Sequence, residues 1–233
     1  MEIRLDKKPK SPKIINGFPG FGLIGTIATE FLIEHLQAEK IGAFYYNELP
    51  ATVAIHNQKL VDPMGIFYNK KYNIVILHTI LNATGMEWKL CDNMLEMADS
   101  LSASEIISLE GVSSPTVTQS EKVFYYASEE KIRAKLDKMG LLPLKESIIV
   151  GVSGALMLRS KIPVTCMFAE TKTNMPDSKA ASNIIKSLDE YLDLAVDYKP
   201  LLKQAEKFEQ KFRSILKQSS VASKEADAKK MNY

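Results

Sequence analysis

Gly20-Phe21-Gly22-Leu23-Ile24-Gly25 lies between an apolar run, Ile14-Ile15, and an amphipathic segment running from Leu23 to Leu36. Read forward, that order is strand, glycine turn, helix. The spacing is G-x-G-x-x-G, the dinucleotide-binding fingerprint, and Glu48 follows at about 20 residues, where a ribose-binding acid belongs. Two physical readings share this pattern. In one, Gly20, Gly22 and Gly25 let the backbone approach a phosphate at a helix N-terminus. In the other, small residues simply let a helix cross tightly over a strand end.

The rest of the chain predicts an α/β fold. Lys13 to Gly17 reads as a strand, and the helix after the turn carries Leu23, Ile27, Phe31 and His35 at four-residue spacing. Ile41 to Tyr46 and Thr52 to His56 read as strands, and Ile66 to Tyr68 pairs with Tyr72 to His78 across a short turn. Ile74 to Leu77 is a continuous β-branched run, as in a strand covered on both faces. Helices are expected at 86–101, 129–139 and from Asp177 to about Val196, the last N-capped by Asp177. Strands are expected at 105–109, 123–126, 147–152 and 164–169, with a short apolar helix to Leu158. Strands alternating with helices give a three-layer α/β/α unit on a mostly parallel mixed sheet.

Three segments divide the chain. Residues 1–197 form the α/β domain. Residues 198–218 form a C-terminal amphipathic helix whose seam, Leu201, Ala205, Phe208, Phe212 and Ile215, has heptad spacing and is a candidate oligomer interface. Residues 219–233 are small and polar and read as a flexible tail ending Met231-Asn232-Tyr233.

Charge and motif searches exclude several classes. A net charge of +2 gives no nucleic-acid footprint. The longest apolar run, Ile148 to Leu158, is far short of the ~18–20 residues of a membrane span, and the charged N-terminus has no leader core. Cys91 and Cys166 lack metal spacing and read as reduced thiols in a cytoplasmic protein. His35, His56 and His78 are scattered and read as structural. Gly151-Val152-Ser153-Gly154 lacks the last glycine of a nucleophile elbow, and no G-K-[ST] follows Gly25. No catalytic set, metal site or cofactor is therefore expected. Glu48, Glu110 and Glu170 each follow a strand end and are placed to gather at one rim, where α/β folds bind ligands. Trp88, off the helical stripe, reads as a packing residue, with a surface contact as the alternative.

Taken together, Phe18-Pro19-Gly20-Phe21-Gly22-Leu23-Ile24-Gly25, Leu109-Glu110-Gly111-Val112, Gly151-Val152-Ser153-Gly154, Phe168-Ala169-Glu170-Thr171 and the helix start Pro176 to Ala181 resemble the proteasome assembly chaperone family, archaeal branch, over about residues 13 to 218. The resemblance implies a nucleoside-phosphorylase-like α/β fold without established catalysis. It implies homo-oligomers that bind proteasome α subunits or the α-ring. In members that bind the assembled ring, a tail ending hydrophobic–tyrosine–any docks between α subunits; here tyrosine is last, in Met231-Asn232-Tyr233. Within this family the glycine turn is structural. The alternative left open is a nucleotide- or nucleoside-binding protein or enzyme using residues 20–25 with Glu48 or Glu170.

Overall fold

The computed structural model describes residues 2–47, 51, 53–56, 58–82, 84–113, 122–171 and 175–200. In chain order the strands are β1 (Glu2–Leu5), β2 (Lys13–Gly17), β3 (Glu39–Tyr45), β4 (Ala54–His56), β5 (Lys59–Val61), β6 (Met64–Asn69), β7 (Ile74–Thr79), β8 (Glu105–Ser113), β9 (Val123–Ala127), β10 (Leu142–Pro143) and β11 (Val164–Thr171). The helices are α1 (Ile24–His35), α2 (Glu87–Ser100), α3 (Glu130–Lys138), α4 (Val152–Arg159) and α5 (Ser178–Leu192).

Nine strands form one mixed sheet, ordered β1-β3-β6-β7-β2-β8-β11-β9-β10. The centre, β7-β2-β8-β11, is parallel, and antiparallel pairings join β1, β3 and β6 on one flank and β9 on the other. β4 and β5 form a separate two-stranded ribbon between β3 and β6.

Side-chain alternation explains the layers. On β2, Ile14 faces one core and Ile15 the other; on β7, Val75 and Leu77 face the first, Ile74 and Ile76 the second. The first core is closed by α2 and α4 through Leu90, Met94, Ala155 and Leu156. The second is closed by α1, α3 and α5 through Ile27, Phe31, Leu136, Ile184 and Leu188. The three-layer α/β/α expectation holds.

At the amino ends of the central strands a buried carboxylate ties layers together. Glu105, 1% exposed, pairs with Lys13 and accepts from Thr165 Oγ1 at 2.6 Å and from the Tyr191 hydroxyl at 2.8 Å. One acid thus links β2, β8, β11 and α5. Burial and the Glu105 charge both push the Tyr191 phenol above its usual range.

The expected strand at 147–152 is absent. This stretch is irregular up to the start of α4, with Ile148 and Val150 exposed to 90% and 79%. The reason is topological: β8 and β11 already hydrogen-bond to each other and to β2 and β9, so no central edge is open to it. α5 ends earlier than expected, at Leu192, because Asp193 adopts a left-handed φ of 54°. Leu194 and Val196 still enter the core without helix. Strands β1, β5 and β10 carry no clear sequence signal, and β8 runs four residues past its expected end to Ser113.

The glycine turn sets how close α1 comes to the sheet. A Cβ built on Gly25 would stand 2.2 Å from the Leu109 carbonyl oxygen, and one on Gly17 would stand 2.1 Å from the Gly25 oxygen. Gly25→Ala must therefore push α1 off β8, whereas Gly140, at φ +81° with nothing within 4 Å of its Cβ position, costs only local backbone strain on substitution. We expect Gly25→Ala to lower unfolding free energy by ~3 kcal/mol and Gly140→Ala by ~1 kcal/mol, read from urea denaturation midpoints.

Candidate functional site

The carboxyl ends of the parallel strands form the rim where a ligand or partner would be met. β2 leads there into the turn Phe18–Gly22, β7 into the segment before α2, and β11 into the segment before α5. The turn is fastened by one residue of the α5 start. Asp177 donates its N–H to the Gly22 oxygen at 2.9 Å. One of its carboxylate oxygens accepts from the Ala180 N–H at 2.9 Å, capping α5, and the other accepts from Thr171 Oγ1 at 2.8 Å. The N-cap expected from sequence is present and also clamps a second element.

Gly22 has φ +65°, and a Cβ there would meet the Asp177 Cβ and Thr171 Oγ1 at 3.2 Å. A Cβ on Gly111 would meet the Phe21 oxygen at 2.1 Å. The turn is thus packed on backbone at Gly25 and Gly111 and backed by a carboxylate at Gly22, while Gly20 has only the Phe18 oxygen near, at 4.0 Å. A phosphate seated over Gly22 would face the Asp177 charge.

Of the three rim glutamates, Glu48 lies outside the described residues. Glu110 and Glu170 both point to the α2–α4 side of the sheet but are two pairing steps apart, on β8 and β11. Glu170 accepts weakly from the Lys122 N–H at 3.5 Å. Glu110 ends a buried polar line. Asn16 Nδ2 donates to the Ile107 oxygen at 3.3 Å, Ser108 Oγ donates to Asn16 Oδ1 at 2.8 Å, Ser108 and Ser153 hydroxyls meet at 2.5 Å, and Ser153 Oγ donates to Glu110 Oε1. This line joins β2, β8 and the first turn of α4. Asn16 and Ser108 carry one signal in the sequence, a polar residue inside an apolar strand run.

Burial, opposed by the Ser153 hydrogen bond, pushes the Glu110 carboxyl up to about 7. Burial and the Glu110 charge together push the Cys166 thiol upward. Ser153 is fully buried, so its hydroxyl is not presented as a nucleophile. On the other face, His78 is 3% exposed, with Nδ1 at 2.9 Å from Thr29 Oγ1 and Nε2 at 2.9 Å from Glu30 Oε2. His35 stacks on Phe31 at 5.4 Å. His78 is thus an interior packing residue, whereas His35 is exposed apart from this stack. Among the described residues no group of three His, Cys, Asp or Glu side chains is arranged to hold a metal, and no helix is long and apolar enough to cross a membrane.

The rim presents apolar groups instead. Phe21 and Met175 are each 48% exposed, and Ile148 and Val150 stand out beside the start of α4. Trp88 is 49% exposed, with the Arg159 guanidinium 4.3 Å over its ring and Asp92 holding Arg159. Exposed apolar groups that lie together mark interaction surfaces, and of these Trp88 and Val150 line one groove between α2 and α4. The seam Leu201, Phe208, Phe212, Ile215 and the terminal Met231, Asn232 and Tyr233 lie outside the described residues.

Comparisons place this fold among known proteins. Residues 14–216 match the PAC2 family. PbaA of Pyrococcus furiosus, described as an archaeal homolog of proteasome-assembly chaperone, is 26% identical with a TM-score of 0.84, covering 95% of this chain and 99% of that one. PbaB of the same organism, described as an archaeal proteasome activator, shares the fold at 23% identity and a TM-score of 0.73, covering 91% and 97% of the two chains. An uncharacterized protein of Methanocaldococcus jannaschii is 24% identical over 212 residues, 90% of this chain and 87% of its own length.

Two expectations follow. The folded value of Glu110, about 7, exceeds its ordinary 4.5, so the folded state holds the extra proton. The stability this contributes is full below the ordinary value and is lost as pH rises through the folded one. Wild-type unfolding free energy should fall by ~1–3 kcal/mol from about pH 5 to pH 8 relative to Glu110→Gln, measured by urea denaturation at each pH. Second, millimolar ATP, NAD or phosphate should leave the melting temperature unchanged. A rise, the mass-action mark of binding, would restore the phosphate reading of the turn.

Proposed function

The chain belongs to the PAC2 family, and from that premise we propose that it is a non-catalytic chaperone for proteasome core-particle assembly, one that self-associates and binds α subunits. The observation that carries this reading is the character of the rim. Where an α/β enzyme would converge titratable side chains, the described residues of this chain present Phe21, Trp88, Ile148 and Val150 to solvent and keep Ser153 buried. The likeness to PbaA supports it. Two buried, unpaired cysteines suit a reducing cytoplasm.

In this reading the heptad residues Leu201, Phe208, Phe212 and Ile215 contribute to self-association, and Met231, Asn232 and Tyr233 contribute to ring contact. The test is size-exclusion chromatography with light scattering, on the protein alone and mixed with purified α subunits or assembled core particle from the same source. A mixed complex of defined mass is expected. Deleting residues 231–233 should weaken binding to the ring at least several-fold and leave the mass of the protein alone unchanged. A protein that ignores α subunits and core particle alike would overturn the proposal; undiminished ring binding by the truncation would remove only the role of the terminal residues.

A further inference from the structure

The buried line that ends at Glu110 has three side-chain contacts and two hydroxyl protons to fill them. Asn16 Oδ1 meets Ser108 Oγ at 2.8 Å, Ser108 Oγ meets Ser153 Oγ at 2.5 Å, and Ser153 Oγ meets Glu110 Oε1. Asn16, Ser108 and Ser153 are all fully buried. The Asn16 amide has one orientation, because its Nδ2 lies 3.3 Å from the Ile107 carbonyl oxygen, which only accepts. Its Oδ1 therefore faces Ser108 and must receive a proton. Each serine hydroxyl donates once. The third contact is filled only by a proton on Glu110.

With Glu110 protonated, every bond runs one way. Glu110 donates to Ser153, Ser153 to Ser108, and Ser108 to Asn16. With Glu110 ionised, Ser153 turns its proton to the carboxylate. Ser108 then has one proton for two acceptors, Asn16 Oδ1 and Ser153 Oγ, and one pair of buried oxygens meets without a proton between them. A partly filled network in a low-dielectric interior is unfavourable for all its members.

The line crosses three elements: Asn16 is on β2, Ser108 and Glu110 are on β8, and Ser153 is in the first turn of α4. α4 has no side-chain cap, its N-cap being Gly151 at φ 109°. Ser153 supplies the side-chain hydrogen bonds that tie the start of α4 to the sheet. Among the described residues no cation faces Glu110. β11 brings Cys166 beside Ser108 and, past Phe168, Glu170. On β9 the side chain of Lys122 is exposed just before the strand. Of the titratable residues of α2, Cys91 is the one turned into this core. Arg159, the one charged residue of α4, is held by Asp92 at the far end of the helix. Both thiols stand above their ordinary range and stay protonated near neutral pH.

We propose that the Glu110 proton is a latch on α4: while it is bound the helix is fastened to β8 and β2, and its loss to solvent frees the first turn of α4 with the 147–151 segment that leads into it. That segment carries Ile148 and Val150, so one carboxyl governs how firmly this part of the apolar rim is held. Glu110 is itself partly exposed and exchanges its proton with water, whereas the hydroxyls behind it are sealed. Burial places the carboxyl at about 7, above its ordinary 4.5, so the latch closes below neutral pH and opens as pH rises through it. The latch does not depend on what the rim binds.

The test is amide hydrogen exchange on the full-length protein, read by mass spectrometry between about pH 6 and about pH 8 and corrected at each pH for the rate of the unstructured chain. Wild-type α4 should lose protection several-fold across this range, while α5 on the opposite layer keeps its own. Emission from Trp88, the sole tryptophan, should follow the same transition, because Arg159 of α4 lies over its ring. Glu110→Gln supplies an amide N–H to Ser153 at every pH, and its α4 should stay protected throughout. Ser108→Ala removes the competing acceptor. Its Ser153 can serve an ionised Glu110 with no contact left bare, so α4 protection should no longer change with pH although Glu110 still ionises. A transition that persists in Ser108→Ala would assign the effect to burial of the charge alone and overturn the latch. Wild-type α4 protection indifferent to pH, or a transition retained by Glu110→Gln, would overturn it too. Should Ser108→Ala not fold, Ser153→Ala puts the same question, since it removes both contacts that compete for protons; a transition surviving in it has the same meaning.

Discussion

The fold depends on the closeness with which one helix lies on the ends of the parallel strands. Gly17, Gly25 and Gly111 each leave a backbone carbonyl where a side chain would otherwise stand. Removing those three Cβ atoms brings α1 onto β2 and β8, and buries Ile24 and Ile27 completely. The second core layer is then thin enough for α5 to pack beside α1. Asp177 holds this arrangement from the other side, since its backbone and both carboxylate oxygens are committed to the turn, to α5 and to β11. Of the three glycines in the G-x-G-x-x-G motif, Gly25 is the one committed to this close approach.

The buried polar groups divide the labour between the two ends of the sheet. At the amino ends Glu105 gathers Lys13, Thr165 and Tyr191 around one carboxylate. At the carboxyl ends Asn16, Ser108 and Ser153 lead to Glu110. Each network crosses between elements that apolar packing alone would leave free to slide, and a satisfied buried network of this sort fixes register.

Much of the architecture is legible in the residues. Ile74 to Leu77 reads as a doubly covered strand because both faces are apolar, and it sits between β6 and β2. α1, α2 and α3 follow their periodic stripes, with Gly140 in the left-handed conformation just past α3 as its position suggests. What the residues hide is competition for edges. Ser147 to Val152 has strand composition, yet the sheet has no vacancy for it. Conversely Glu2 to Leu5 belongs to a charged stretch with no strand signal and becomes an edge strand on β3, with Arg4 over the Tyr45 ring at 4.3 Å. The candidate site was legible in part. Glu110, Glu170, Ser153 and Asp177 were all visible as residues at element ends, but their separation across the sheet depends on strand order, which pairwise spacing does not encode. Of the two readings open for Trp88 the structure shows the exposed one, its ring covered by Arg159, which is 71 residues away in sequence.

The two cysteines give this fold a built-in clock. Cys91 faces the first core from α2 and Cys166 faces it from β11, and both are completely buried. Burial, reinforced by Asp92, raises the Cys91 thiol to about 11, and Cys166 stands higher still beside Glu110. A thiol held protonated and shielded does not react with alkylating reagents until the layer over it lifts. Each cysteine therefore records a different event, Cys91 the loosening of a helix and Cys166 the opening of the central strands. The ratio of their modification rates measures whether the helical layer and the sheet come apart together or in turn.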